Sequence, residues 1–195
     1  MGALPTGATR ARTVRRALFT DRDGTLNPDL HYLKEAERLE LFQGVGDALS
    51  LAHDHGFVVI CVTNQSGVDR GLYTREDVER VHIRLNELLQ PHRARVDGFY
   101  FCPHAPERGC ACRKPGTLLF EEAGRDWNID FGSSAIVGDR GLDVEAGRKL
   151  GLLTALVPAR GHEEAVAQEV TDRAIPPDIV ASTFTNAVLR VLARG

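Results

Sequence analysis

One segment, Phe57-Val58-Val59-Ile60-Cys61-Val62, constrains the fold of this chain more than any other. An unbroken apolar run rich in β-branched residues has no polar face to offer water. A strand built from it must therefore be covered on both sides, as in parallel sheets flanked by helices. The neighbouring patterns supply the helices. Val45, Ala48, Leu49 and Ala52 recur at helical spacing and are followed by Gly56, where a helix-ending glycine belongs. Thr74 and Asp77 form a capping-box-like start for a helix with Val78, Val81, Leu85, Leu88 and Leu89 on one stripe, stopping before Pro91. Further strands are expected at 17–20, 98–101, 135–137, 152–157 and 179–180, and further helices around 118–123, 143–150 and 184–193. Strands alternating with helices predict an α/β fold with a Rossmann-like parallel sheet and helices on both faces. The stretch between Gly24 and Phe57 is largely taken up by one helix, so no large cap domain is expected.

The chain has 195 residues, 43% of them apolar and 26% charged, which suits a single globular domain. No stretch approaches the ~18 apolar residues of a membrane span. The first residues contain no apolar signal-peptide core, so the expected location is cytoplasmic, where thiols stay reduced. Residues 1–16 hold Arg10, Arg12, Arg15 and Arg16 and no acid, and read as a disordered extension to a domain at 17–195. The rest of the chain holds 20 basic and 27 acidic groups, a net charge of −7. That balance argues against a nucleic-acid partner, which calls for a basic surface.

Polar signals cluster after the strands, where open α/β sheets bind ligands. Asp21 and Asp23 follow the first strand; two carboxylates two residues apart in extended chain point the same way. One can attack an electrophile while the other gives and takes a proton. Gly24 permits the sharp turn off the strand. Thr63-Asn64-Gln65-Ser66-Gly67 follows the second strand with hydroxyls and amides that can cradle phosphate oxygens. Lys114 can neutralise phosphate charge, and Arg113 can grip a second anionic group. Asp139 follows the strand at 135–137 as a hard oxygen ligand suited to Mg²⁺. Asp143, at the start of the next helix, reads first as a cap. Cys102, His104, Cys110 and Cys112 have the ligand types of a closed, tetrahedral zinc site, a structural loop at 102–112. Cys61 reads as core packing.

Taken in order, Asp21-Arg22-Asp23-Gly24-Thr25-Leu26-Asn27, Thr63-Asn64-Gln65-Ser66-Gly67, Cys102-Pro103-His104, Cys110-Ala111-Cys112-Arg113-Lys114-Pro115 and Gly138-Asp139-Arg140 resemble the haloacid dehalogenase-like phosphatases. The zinc loop narrows the resemblance to the group of D-glycero-D-manno-heptose 1,7-bisphosphate 7-phosphatases and histidinol-phosphate phosphatases. The resemblance implies a small sugar-phosphate substrate and a monomer outside membranes. It implies Asp21 as the nucleophile of a phosphoaspartyl intermediate, and Asp23 as the acid that then activates water. It implies Mg²⁺ held by Asp21, the backbone carbonyl of Asp23 and Asp139, with Thr63 and Lys114 stabilising the phosphoryl group. Arg113 would recognise the substrate, and Asp29, Leu30, His31, Tyr32, Asn64, Gln65, Ser66 and Arg140 would line its site. Asp23 must start protonated to act as an acid, so its pKa is expected above that of Asp21. The alternative substrate is histidinol phosphate; from another class, the alternative is an inert zinc-stabilised binding module.

Overall fold

The computed structural model describes residues 13–159 and 161–194. Six strands, β1 (Arg16–Thr20), β2 (Phe57–Asn64), β3 (Gly98–Cys102), β4 (Ala135–Gly138), β5 (Leu153–Leu156) and β6 (Ile179–Val180), form one sheet. Its order is β3-β2-β1-β4-β5-β6, and every pairing is parallel. The helices are α1 (Val45–Asp54), α2 (Arg75–Leu89), α3 (Leu118–Trp127), α4 (Gly141–Leu150), α5 (Glu163–Asp172) and α6 (Phe184–Leu192).

The alternation of side chains along each strand explains the continuous apolar runs. Leu18, Val59, Cys61 and Val137 point to one face, where they meet Val45 and Leu49 of α1, Val81 and Leu85 of α2, and Val188 of α6. Ala17, Phe19, Ile60, Val62 and Ile136 point to the other, against Phe120 and Ala123 of α3 and Ala146 of α4. Both faces are thus buried, as the apolar run demands. Cys61 is fully buried in the first of these layers, as read from the sequence.

One boundary and one helix differ from the sequence reading. Strand β1 starts before residue 17. Arg16 opens β1, and the Arg15 backbone exchanges hydrogen bonds with Asn128 and Asp130, at 2.9 and 2.8 Å. The guanidinium groups of Arg15 and Arg16 lie over the Trp127 and Phe57 rings, so these arginines pack on aromatic faces instead of joining a solvated tail. The remainder of the expected extension, residues 1–12, lies outside the described residues. Helix α5 was not expected at all. Its one buried residue, Val166, packs with Val144 and Leu156, which leaves almost no periodic apolar signal to read.

The chain builds β1, β2 and β3 outward in one direction, then returns to place β4 on the opposite side of β1. The carboxyl ends of β1 and β4 therefore flank a topological switch point, the crevice in which such sheets bind ligands. Among the described residues, no helix is long and apolar enough to cross a membrane.

Candidate active site

A cleft of about 390 Å³ opens at this switch point. It is lined by Asp21 and Asp23 after β1, Thr63, Asn64, Gln65 and Ser66 after β2, Arg113 and Lys114 before α3, and Asp139 and Arg140 after β4. Residues more than a hundred positions apart thus share one pocket because their strands end side by side.

Asp21 leaves the sheet still tied to it: its backbone N–H donates to Val137 of β4 at 3.2 Å. Its side chain accepts from the Arg22 backbone N–H at 2.7 Å and lies 2.9 Å from Lys114 Nζ. Lys114 reaches Asp143 as well, at 2.7 Å. Burial opposes the lysine charge, but Asp143 and Asp21 outweigh it and raise its pKa above the ordinary lysine value. Lys114 is placed by Asn64, whose Oδ1 accepts from the Lys114 backbone N–H at 3.1 Å. Asn64 thus fixes the backbone that carries Lys114.

The turn after β1 is tight. Gly24 adopts a φ of +81°, and a Cβ there would fall 2.3 Å from Asp139 Oδ2. Only glycine lets the turn and Asp139 approach this closely. Asp21, Asp139 and Asp143 bring carboxylate oxygens within 4.8 Å of one another. Burial, with Asp21 and Asp143 adding repulsion, raises the Asp139 pKa to about 8. Burial raises Asp21 to about 6, against the opposing pull of Lys114. Crowded, buried oxygen donors of this kind suit a hard divalent cation such as Mg²⁺.

Asp23 behaves in the opposite way to the sequence expectation. Its burial is outweighed by Arg22, whose Nε and guanidinium NH2 donate to the two carboxylate oxygens at 3.1 and 2.8 Å. Asn27 and Gln65 donate at 3.0 and 2.8 Å. The Asp23 pKa is lowered, and Asp21, not Asp23, is the higher of the two. The physical reason is the intervening residue: Arg22 is fully buried and turned inward as a partner.

The remaining expected substrate contacts divide. Asp29, His31 and Tyr32 line the cleft, with His31 and Tyr32 in the left-handed backbone region, while Leu30 is exposed outside the lining. Gln65 is buried and spends its amide on protein partners. Arg140 reaches the cleft, but its Nε donates to Glu169 of α5 at 3.2 Å. Arg113 is steered by the cysteine loop, donating to the His104 carbonyl at 3.2 Å. Tyr73, Leu142 and Asp143 also line the cleft and were not assigned to it from sequence. Asp143 does cap α4, accepting from the Arg140 N–H at 3.1 Å; its spacing from Asp139 is the signal available in the sequence for its place beside Lys114.

Cys102, His104, Cys110 and Cys112 converge at the end of β3. Sγ–Sγ separations are 3.1 to 3.5 Å, and His104 Nδ1 lies 3.2 Å from Cys112 Sγ. These separations are too long for disulfides and fit ligands sharing one tetrahedral ion. The loop is pinned to the turn after β2: Asp69 accepts from Arg108 Nε at 2.9 Å and from the Ala105 N–H at 3.1 Å.

A parallel sheet with paired aspartates after its central strand, and a lysine and a third aspartate closing on them, defines the haloacid dehalogenase-like class of hydrolases. The HAD-hydrolase-like family model matches residues 111–187. The D-glycero-D-manno-heptose-1,7-bisphosphate 7-phosphatase of Chlorobaculum tepidum is 36% identical over 186 residues, covering 89% of this chain and 92% of that protein. The D-glycero-beta-D-manno-heptose-1,7-bisphosphate 7-phosphatase of Haemophilus ducreyi is 34% identical, covering 89% and 97%. The crystal structure of D,D-heptose 1,7-bisphosphate phosphatase from B. bronchiseptica, complexed with magnesium and phosphate, superimposes with a TM-score of 0.82 at 26% identity. That match covers 92% of this chain and 99% of the other. The chain belongs to the haloacid dehalogenase-like phosphatases, in the family of these heptose bisphosphate phosphatases.

Proposed function

We propose that this protein is a phosphomonoesterase that removes the 7-phosphate of D-glycero-D-manno-heptose 1,7-bisphosphate through a phosphoaspartyl intermediate on Asp21. The observation that carries the reading is the meeting of Asp21, Asp23 and Lys114 in one cleft, with Lys114 Nζ 2.9 Å from the Asp21 carboxylate. The names of the relatives support the substrate.

A carboxylate oxygen of Asp21 attacks phosphorus. The new oxygen–phosphorus bond forms as the bond to the sugar oxygen breaks, and that oxygen takes a proton from Asp23. Asp23 then removes a proton from water, whose oxygen attacks phosphorus. The bond to Asp21 breaks, releasing inorganic phosphate and restoring both carboxyl groups. In the free protein Arg22 favours the base form of Asp23. A phosphate dianion entering the cleft is a like charge and raises the Asp23 pKa toward the acid form that the first step needs. Lys114 is positioned to hold a phosphoryl oxygen. Thr63 Oγ1 accepts from Gln65, which leaves its own O–H for a second one. Mg²⁺, held by Asp21, Asp139 and the backbone carbonyl of Asp23, would supply the charge that offsets these carboxylates and the phosphate. Arg113, fixed by the zinc loop, is the group for the second phosphate. Cys102, His104, Cys110 and Cys112 would hold zinc with no position left for substrate, which makes the site structural.

The test is phosphate release with Mg²⁺ from both anomers of the heptose 1,7-bisphosphate and from histidinol phosphate. The heptose ester is expected to have the highest kcat/KM; preference for histidinol phosphate would select the alternative substrate. Asp21→Asn is expected to abolish release with an unchanged circular dichroism spectrum, and an active Asp21→Asn protein would exclude the mechanism. Metal analysis is expected to find zinc in equal molar amount to the chain, and chelation to lower the melting temperature. A verified zinc-free protein with unchanged melting would remove the structural role.

A further inference from the structure

We infer that Tyr73 is a positioning residue for the acid–base step, acting through Gln65 to orient Asp23 and Thr63 together. The inference rests on the phosphatase reading above and adds residues to its machinery. The Tyr73 hydroxyl donates to Gln65 Oε1 at 2.8 Å. The other end of the same amide, Nε2, donates to Asp23 Oδ2 at 2.8 Å and to Thr63 Oγ1 at 2.9 Å.

In the free protein, where Arg22 pairs with an ionised Asp23, the chemistry of the partners favours this orientation. An ionised carboxylate accepts and never donates, so the amide nitrogen must face Asp23. A flipped amide would set its carbonyl against the carboxylate. What holds the amide in place is a donor at its far end, and the tyrosine hydroxyl is that donor. Burial pushes its pKa up to about 12, so the proton stays in place through the working range. Gln65 and Tyr73 are both buried, 2% and 6% exposed, so water does not substitute readily for either bond.

The backbone is built to admit the ring. A Cβ on Gly67 would lie 2.2 Å from Tyr73 Cε1, so the glycine of the loop after β2 leaves the space that the ring fills. The relay thus joins the acid–base carboxylate to a phosphoryl-binding hydroxyl, two groups that must be in register when the sugar oxygen leaves.

The test uses Tyr73→Phe, which keeps the ring and removes the donor. On an alkyl phosphate such as the heptose bisphosphate, kcat/KM is expected to fall about tenfold, the effect of leaving one buried acceptor unpaired. An aryl phosphate with a good leaving group, p-nitrophenyl phosphate, needs little proton donation and so feels only the Thr63 end of the relay; its kcat/KM is expected to change less than about threefold. A merely structural role would lower both alike. In a Gln65→Leu background, Tyr73→Phe is expected to add no further loss, because the hydroxyl acts only through the amide. Equal losses on the two esters, multiplying losses in the double variant, or an unaffected Tyr73→Phe enzyme would each overturn the relay while leaving the phosphatase reading intact. A wild-type protein inactive on all these esters would remove both.

Discussion

Arg22 sits between the two aspartates of the motif and decides how they differ. It is fully buried, and it grips both oxygens of an Asp23 side chain that is 22% open to the cleft. Removing one member of such a pair leaves a charge without its partner. Arg22→Met is expected to destabilise the domain by about 3 kcal/mol, at the low end for a buried pair because Asp23 keeps access to water. Urea unfolding measures this, and an unchanged midpoint would show that the pair contributes nothing. Arg22→Lys is expected to rescue little, since a lysine cannot reproduce the planar fork. The spacing of Asp21 and Asp23 is readable in the sequence as two carboxylates facing one way. Which has the higher pKa is not, because that depends on whether Arg22 turns inward, and an arginine in a turn ordinarily faces solvent.

Helix α2 shows the same divide at the level of an element. Its capping box, formed by Thr74 and Asp77, and its apolar stripe are local features, and the structure has both. His82 occupies a core position on that helix, its ring stacked on Phe99 with centroids 4.2 Å apart. Burial, helped by the Arg22 charge, depresses its pKa to about 3. The folded state therefore holds His82 neutral while the unfolded chain protonates it from its ordinary value of 6.5 downward. The contribution to stability is present in full above pH 6.5 and is lost as pH falls toward 3. His82→Phe is expected to lose less stability than wild type between pH 7 and pH 4.5, measured by denaturant unfolding at both; equal losses would refute the assignment. Helix α5 is the counter-case, with Val166 its one buried residue. Such a helix is held by what it docks on, Leu156 and Val144, and by the ion pairs of Glu169 with Arg140 and Arg173. Of these partners only Arg173, four residues on from Glu169, is local in sequence.

For the whole molecule, the last helix closes the first core layer. Phe184, Ala187, Val188 and Val191 of α6 are buried against α1 and the sheet, and the Thr185 hydroxyl donates to the Gly44 carbonyl at 3.2 Å. Phe184→Ala is expected to cost the entire domain about 3–5 kcal/mol in urea unfolding, while activity per folded molecule at low temperature stays near wild type. A selective loss of activity without loss of stability would place α6 in the site instead. At this scale, the α/β class, the parallel sheet and the candidate polar groups after the strands are legible in local sequence. Those follow from short-range patterns: an apolar run without a polar face, helical stripes, and ligand-type residues at fixed spacing after strands. The tertiary structure alone decided the partnerships. It set Arg22 on Asp23, Asn64 behind Lys114, Asp143 within reach of Lys114, and Tyr73 at the far end of the Gln65 amide. These contacts depend on which strand ends lie side by side and on which polar atoms are removed from water. Strand order and burial are properties of the packed sheet, and no stretch of sequence carries them alone.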